Sequence, residues 1–420
     1  MNGTSSATAT DPTPVKLGGI RDFRLLWLSG LLAGFGSQMA SIALPLLVLR
    51  ETHSPVQAGA VETVAVGALL VTMLPGGALA DSVERRRLMR ICDLFSTLAV
   101  GGLAVSVLIG RPPYLLVLLV ATIGAIISSL YGPAAMGLLR EIVPREQLKT
   151  AASRLQARGA TARLIGPLVG GTLYAVNPAL PFFGEAVCLL LSTTCVAFMR
   201  TRSAPDPNRG SAFSRTEFAA GVSFLWKRPQ LRTVLLVFGL GVNAAFSAMM
   251  FVALAVTSRG GTSGVSSGTV VSLTAVGSLA GALLAPKIST RLRIATLIGG
   301  TCWVCAADAA GLTVSGNPFY VGVLCALCVA IAAVASIGFL TAMLEATPQH
   351  MVGRVQSAAG FISSIVQPLG PLVGGALLAF YGTRTAYVAL SAVFVVCAVV
   401  LTCAPSVRRG PVQAQALAAE

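Results

Sequence analysis

The sequence predicts an all-α membrane protein: twelve transmembrane helices in two six-helix bundles, with both termini in the cytoplasm. Composition, the spacing of apolar runs and an internal repeat carry that expectation. Of 420 residues, 55% are hydrophobic and 11% charged, with mean hydropathy +0.81. Globular chains carry about 25% charge, and a soluble domain has no means of hiding so much apolar surface. A soluble enzyme, a disordered chain and a nucleic-acid binder are thereby excluded.

About 20 apolar residues cross the roughly 30 Å of hydrocarbon in a bilayer. By that measure the first half contains spans at Leu25–Leu49, Val56–Ala80, Ile91–Ile109, Tyr114–Leu139, Ala151–Val176 and Pro181–Met199. The second contains Leu231–Thr257, Ser266–Pro286, Ile294–Val314, Pro318–Leu344, Val355–Tyr381 and Thr385–Cys403. The runs are continuous rather than alternating, which argues against a β-barrel. The polar start has no signal-peptide pattern, and the first apolar run is too long for one. The expected division is a segment at 1–24, bundles at 25–200 and 231–403, a linker at 201–230 and a tail at 404–420.

Orientation follows from the basic residues. Net charge is +15, and of 30 Lys and Arg only Arg50, Arg111, Arg259 and Arg384 fall in loops on one side. The other side carries the rest, which places it and both termini in the cytoplasm. In the linker, Ser214-Arg-Thr-Glu217 has capping-box spacing, and Phe218, Val222 and Leu225 follow on one helical face. This predicts a short amphipathic helix on the inner membrane surface.

The repeat fixes the architecture. Ile165-Gly-Pro-Leu-Val-Gly-Gly171 in span five recurs as Leu369-Gly-Pro-Leu-Val-Gly-Gly375 in span eleven. The same offset aligns Glu141-x-x-Pro144 with Glu345-x-x-Pro348, and Gly77-Ala-Leu79 with Gly281-Ala-Leu283. One such match is expected by chance in a glycine-rich chain. Three at corresponding spans indicate parallel halves related by an axis along the membrane normal, as in two-bundle secondary transporters.

Gly77-Ala-Leu-Ala-Asp81-Ser-Val-Glu-Arg85-Arg86-Arg87 follows span two. It resembles the G-x-L-a-D-r-x-G-r-[rk] motif of the major facilitator superfamily, departing from it at Ser82 and Glu84. Gly166-Pro-x-x-Gly170-Gly171 resembles the end of the fifth-span motif of antiporters in that superfamily. The overall style is similar to the bacterial drug, macrolide and siderophore efflux branch, the enterobactin exporter group among them. The resemblance covers nearly the whole chain. It implies that Gly77, Asp81, Arg85 and Arg86 belong to a latch between the bundles on the cytoplasmic side. A carboxylate beside cations at the membrane edge makes a breakable clamp on independent grounds. The plainer reading is that the arginines set topology alone. The aligned second-half position is Ala285, so any latch is asymmetric.

Gly166, Pro167, Gly170 and Gly171 permit close helix approach and bending. Charges within spans are functional candidates by default: Glu62 in span two, Arg163 in span five, Glu185 in span six and Asp308 in span nine. The resemblance places spans three, six, nine and twelve outside the central cavity, which favours Glu62 and Arg163 for coupling and substrate. Asp93 is expected to pair with Arg90 or face the inner surface. Gln38 and Ser41, Tyr131, Asn243 and Gln367 are uncharged cavity candidates, and interhelical hydrogen bonding accounts for them equally well. Met249, Met250 and Phe251 suit core or lipid-facing packing.

Cys302-x-x-Cys305 and Cys325-x-x-Cys328 imitate zinc-ribbon spacing but lie within apolar spans, where thiolates are costly. No metal, cofactor or disulfide framework is expected, and the nine cysteines read as packing residues. The expected function is secondary active export of a small amphipathic compound from a bacterial inner membrane. The compound is drug-, antibiotic- or siderophore-like, the coupling ion is the proton, and the protein works as a monomer within the lipid bilayer. Uptake or uniport is the alternative. An intramembrane enzyme or receptor would need a buried catalytic cluster, and the sequence has no such constellation.

Overall fold

The computed structural model describes residues 17–110, 112–201, 215–258, 263–289, 294–348 and 351–403. Every regular element among them is helical. The first half comprises α1 (Arg21–Thr52), α2 (Pro55–Ser82), α3 (Arg85–Leu108), α4 (Tyr114–Ile142), α5 (Leu148–Val176) and α6 (Leu180–Ala197). The linker helix α7 spans Arg215–Trp226. The second half comprises α8 (Pro229–Thr257), α9 (Ser263–Ser289), α10 (Ile294–Gly311), α11 (Pro318–Glu345), α12 (Val352–Ser364) and α13 (Leu369–Cys403).

Among the described residues, nine stretches are long and apolar enough to cross a membrane on their own. One of these, Arg354–Cys403, holds two spans, because Gly382 turns the chain at φ 78°. A left-handed residue is cheap only for glycine. Helix α5, burdened by Arg154, Arg158 and Arg163, and α10, described over 18 residues, complete the twelve.

Span eleven differs from the sequence expectation of one continuous helix. It breaks between Ser364 and Leu369. Pro368 has no N–H to donate, and the chain turns through contacts from Gln367 N–H to Ser364 O and from Leu369 N–H to Val366 O. Facing the break, residues Leu235–Val242 of α8 form a π-helical segment. Asn243 Nδ2 donates to Ser363 O at 3.1 Å, tying the two irregular stretches together. The linker helix packs on the second half: Val222 and the fully buried Leu225 join a cluster with Val355 and Ala358 of α12. Residues 202–214 lie outside the described set, as do the side chains of Glu217 and Phe218.

The basic ends of the first-half helices are held by polar links. Arg158 of α5 crosses over Gly30 and donates to the Leu26 and Trp27 carbonyls of α1 at 3.1 and 3.0 Å. Asp22, before the apolar part of α1, accepts from Arg200 N–H, Thr201 N–H and Thr201 Oγ1 after α6.

Glycines of the repeat seat their helices within each half. A methyl on Gly166 would lie 2.5 Å from Gln38 Cβ of α1, and one on Gly170 would overlap the Met39 backbone. In the second half, a methyl on Gly370 would lie 2.8 Å from Ala244 O, and one on Gly374 2.8 Å from Ala248 O, both on α8. Gly170→Val and Gly374→Val should therefore each destabilise by about 1–3 kcal/mol, because backbone rather than a flexible side chain must move. Thermal unfolding in detergent micelles checks this, and midpoints equal to that of the unmodified protein would contradict the packing described.

Candidate functional site

The remaining faces of the two repeat motifs meet the opposite half. In α5, the Pro167 carbonyl and Gly171 abut Gly268 of α9, where a methyl would lie 2.8 Å from Pro167 O. In α13, the Pro371 carbonyl abuts Gly59 of α2, and Gly375 abuts the Pro55 carbonyl. Each motif thus spends two glycines on its own bundle, and one proline carbonyl and one glycine on the other. Small residues allow backbones this close, and close backbones are what hold membrane helices together.

These contacts sit at the end distal to the arginine-rich loops. The hydrophobic clusters divide in the same way. One large cluster takes Ala40–Val48 of α1 and Ala58 and Val61 of α2 from the first half, and it continues through Val242, Ala248 and Val252 of α8. At the basic end, one cluster draws only on the first half, around Leu88, Leu138 and Leu155, and another only on the second, around Leu225, Leu231 and Val355. Among the described residues, then, the halves share a core at the distal end and have separate cores at the basic end. A recess of about 760 Å³ at the distal rim touches both halves, through Arg50, His53, Tyr174, Ala255 and Ser258.

One helical turn to the basic side of the glycine–carbonyl contacts lie the polar candidates. Glu62 and Thr63 follow Gly59 by three and four residues on α2, and Gln367 precedes Pro371 by four residues in the helix break. Ser272 follows Gly268 on α9 by four, and Arg163 precedes Pro167 on α5 by four. Three or four residues return a helix to the same face. Both helix pairs run antiparallel, so Ser272 is set opposite Arg163, while Gln367 lies in the break that leads into the α13 contact with α2. Arg163 and Gln367 occupy the same repeat position. Both are exposed, and Glu62 is half-buried. The hydroxyls of Thr63 and Ser272 are buried without a hydrogen-bond partner among the described residues. Arg163 sits about 22 Å along α5 from its start, at 1.5 Å per residue. At that depth a guanidinium is costly without water or a partner.

The other candidates are placed elsewhere. Gln38 packs against Gly166, and Ser41 Oγ donates to the Gln38 carbonyl at 2.8 Å. Asn243 is committed to Ser363. Tyr131 lies in the first-half bundle, its hydroxyl among Ser29, Asp93, Arg158 and Ser192. Asp93 neither pairs with Arg90 nor faces the inner surface: it is 2% exposed and accepts from Ser192 Oγ of α6 at 2.6 Å. The spacing of Asp93 and Ser192 in sequence gives no hint of that contact, and the same is true of Arg158 over Gly30. Glu185 of α6 packs against Gly36 of α1. Asp308 is buried within the second half, its Oδ2 unpartnered among the described residues. Met249 and Phe251 are core residues and Met250 packs beside them.

The side chains of Asp81 and Glu345 lie outside the described residues, and Gly77 is described only as backbone of α2. Arg85 and Arg86 are described. Arg85 is buried across Gly137 and pairs with Glu141 of α4. Arg86 caps the end of α6, donating to Val196 O at 3.1 Å and Ala197 O at 2.6 Å. Among the described residues, no three metal-ligating side chains are grouped to hold an ion.

The arrangement is that of a two-bundle carrier, and residues 26–371 match the Major Facilitator Superfamily. The chain belongs to the major facilitator superfamily. It is a transport protein of bacterial type, multi-pass in the membrane, and not an enzyme. It is 27% identical over 400 residues to the multidrug efflux pump Tap of Mycolicibacterium fortuitum, covering 91% of this chain and 96% of that protein. It is 25% identical over 368 residues to the enterobactin exporter EntS of Escherichia coli O6:K15:H31 (strain 536 / UPEC), covering 87% and 86%. Among solved structures, the nucleoside transporter NupG superposes with TM-score 0.71 at 14% identity, covering 93% of this chain and 100% of that one. A bacterial homologue of the human lysosomal transporter Spinster, inward-facing and occupied, superposes with TM-score 0.68 at 16% identity, covering 93% and 99%. These two share the fold.

Wedging the distal contacts should open them. In Gly59→Val together with Gly268→Val, a cysteine replacing Gln367 should react several-fold faster with an impermeant maleimide added from the distal side. Equal labelling with and without the wedges would show that the glycine contacts do not form the barrier.

Proposed function

We propose that this protein exports a small amphipathic organic compound (a drug, an antibiotic or a siderophore) across a bacterial inner membrane by proton antiport. The cycle is alternating access, with both termini and the arginine-rich ends in the cytoplasm, and the monomer is the working unit. The observation that carries this reading is the asymmetry of the interface: the bundles share a core at one end and are separate at the other, with polar residues just inside the shared end. The efflux activities named for Tap and EntS support the export direction and the substrate class.

In this reading the described conformation opens to the cytoplasm. Substrate enters between the separate basic cores and reaches Glu62, Arg163 and Gln367 beneath the distal contacts. The two antiparallel pairs, α2 with α13 and α5 with α9, then part at the distal end as the basic ends close. Bundle rocking about a fixed central site is the motion expected of such carriers. Asp81 belongs to the latch that forms as the basic ends close. Arg85 and Arg86 brace that region by holding α3 to α4 and α6, so the latch works from a rigid base. Glu62, at the interface that opens and closes, carries the proton: its surroundings change between the two states, which is what coupling requires.

Everted membrane vesicles with an imposed proton gradient, offered a panel of drugs and siderophores, test the proposal. At least one compound should accumulate, and a protonophore should abolish the accumulation. Glu62→Gln should remove the protonophore-sensitive component, and Asp81→Asn should slow turnover at least tenfold, about 1.4 kcal/mol in the barrier. Accumulation indifferent to the protonophore would refute proton coupling. Accumulation only in the opposite vesicle orientation would establish uptake.

A further inference from the structure

The second-half bundle contains a ladder of buried thiols that transport does not use. Cys302, Cys305, Cys325 and Cys328 are each 0% exposed. Their spacing in sequence imitates a zinc site, but α10 and α11 bring them together differently. The helices run antiparallel, and Cys305 and Cys328 meet with their sulfurs 2.8 Å apart. To one side, Cys302 neighbours Cys397 of α13. To the other, Cys325 neighbours Asp308 and Tyr387. A single sulfur–sulfur contact is therefore singled out from five closely spaced cysteines.

We propose that Cys305 and Cys328 are a redox modification site: an intramembrane dithiol that a lipid-soluble quinone oxidises to a disulfide, stapling α10 to α11. The two S–H bonds break and one S–S bond forms. The two electrons and two protons released reduce the quinone to its hydroquinone, so the exchange balances without a further reactant. A disulfide is about 2.05 Å long, so the sulfurs need to close by only about 0.8 Å.

The surroundings set which oxidant is at hand. Both thiols are fully buried within membrane-spanning helices, so an oxidant reaches them only when α10 and α11 part, and one dissolved in the surrounding lipid, such as a quinone, is at hand when they do. Asp308 lies beside these cysteines, its Oδ2 buried and unpartnered among the described residues. The Tyr387 hydroxyl is likewise buried and unpartnered among the described residues, beside Cys325.

The test uses the full chain in native membrane vesicles and needs no transported substrate. The vesicles are reduced, washed and exposed anaerobically to decylubiquinone, whose fully substituted ring leaves no position for thiol addition. They are then denatured, alkylated and analysed by mass spectrometry. The chain has nine cysteines, so the alkylated count should fall from nine to seven, with one cross-linked peptide pair joining Cys305 to Cys328. Cys305→Ala and Cys328→Ala should each show eight alkylated thiols with or without quinone. Nine alkylated thiols in the unmodified chain after exposure, or a cross-link between any other pair, would overturn the proposal. Because the readout on the unmodified chain stands alone, misfolding of either variant leaves the result decisive.

Discussion

The structure depends on the contact between a glycine and a backbone carbonyl on a neighbouring helix. In lipid there is no hydrophobic force between helices, so association rests on how closely the backbones approach. Gly-Pro-x-x-Gly-Gly places glycines on two faces of one helix. Gly166 and Gly170 seat α5 on α1, while Pro167 and Gly171 press it against Gly268 of the other bundle. Gly370, Gly374, Pro371 and Gly375 do the same for α13 with α8 and α2. The same short segment therefore fixes a helix in its bundle and makes it separable from the other. Contacts of this kind contain no interlocked side chains of their own, and parting them also parts the core that the halves share at the distal end.

The polar residues take their meaning from this seam. A charge deep in a membrane span persists when it is paired or when it faces water or substrate. Asp93 is resolved by Ser192 and Arg85 by Glu141, and both serve the first-half bundle. Glu62 and Arg163 have no such ion pair among the described residues and flank the seam. The π-helical segment of α8 and the break before Pro368 add irregular backbone at the level of Gln367. Irregular backbone inside a membrane is tolerated where it is buried in protein or lines a cavity.

Much of this was legible in the sequence, and the reasons differ by feature. Span number followed from hydropathy, because the bilayer punishes any unpaired backbone and leaves helices as the available solution. The two-fold arrangement followed from the repeat around Gly166 and Gly370. The role of each glycine was hidden, because spacing along one helix does not say which neighbour it meets. Asp93 was misplaced for the same reason: its partner Ser192 is ninety-nine residues away. The break in span eleven had a signal in Pro368, but proline is common in membrane helices and did not stand out. The cysteine pairs showed that a motif's spacing can be real while its usual meaning fails, since Cys305 meets Cys328 across two helices and not within a knuckle.

The central claim is that the distal and basic ends open in opposition about the glycine seam. Pulsed electron paramagnetic resonance on spin-labelled protein in nanodiscs tests it directly. One label pair replaces exposed Gln57 of α2 and Phe380 of α13 at the distal end, and a second replaces exposed Ser82 of α2 and Ser357 of α12 at the basic end. Shifting the sample from neutral to acidic pH should lengthen one pair's distances and shorten the other's, as protonation redistributes the two states. Both pairs lengthening together, or neither pair responding under any condition in which transport occurs, would contradict the account.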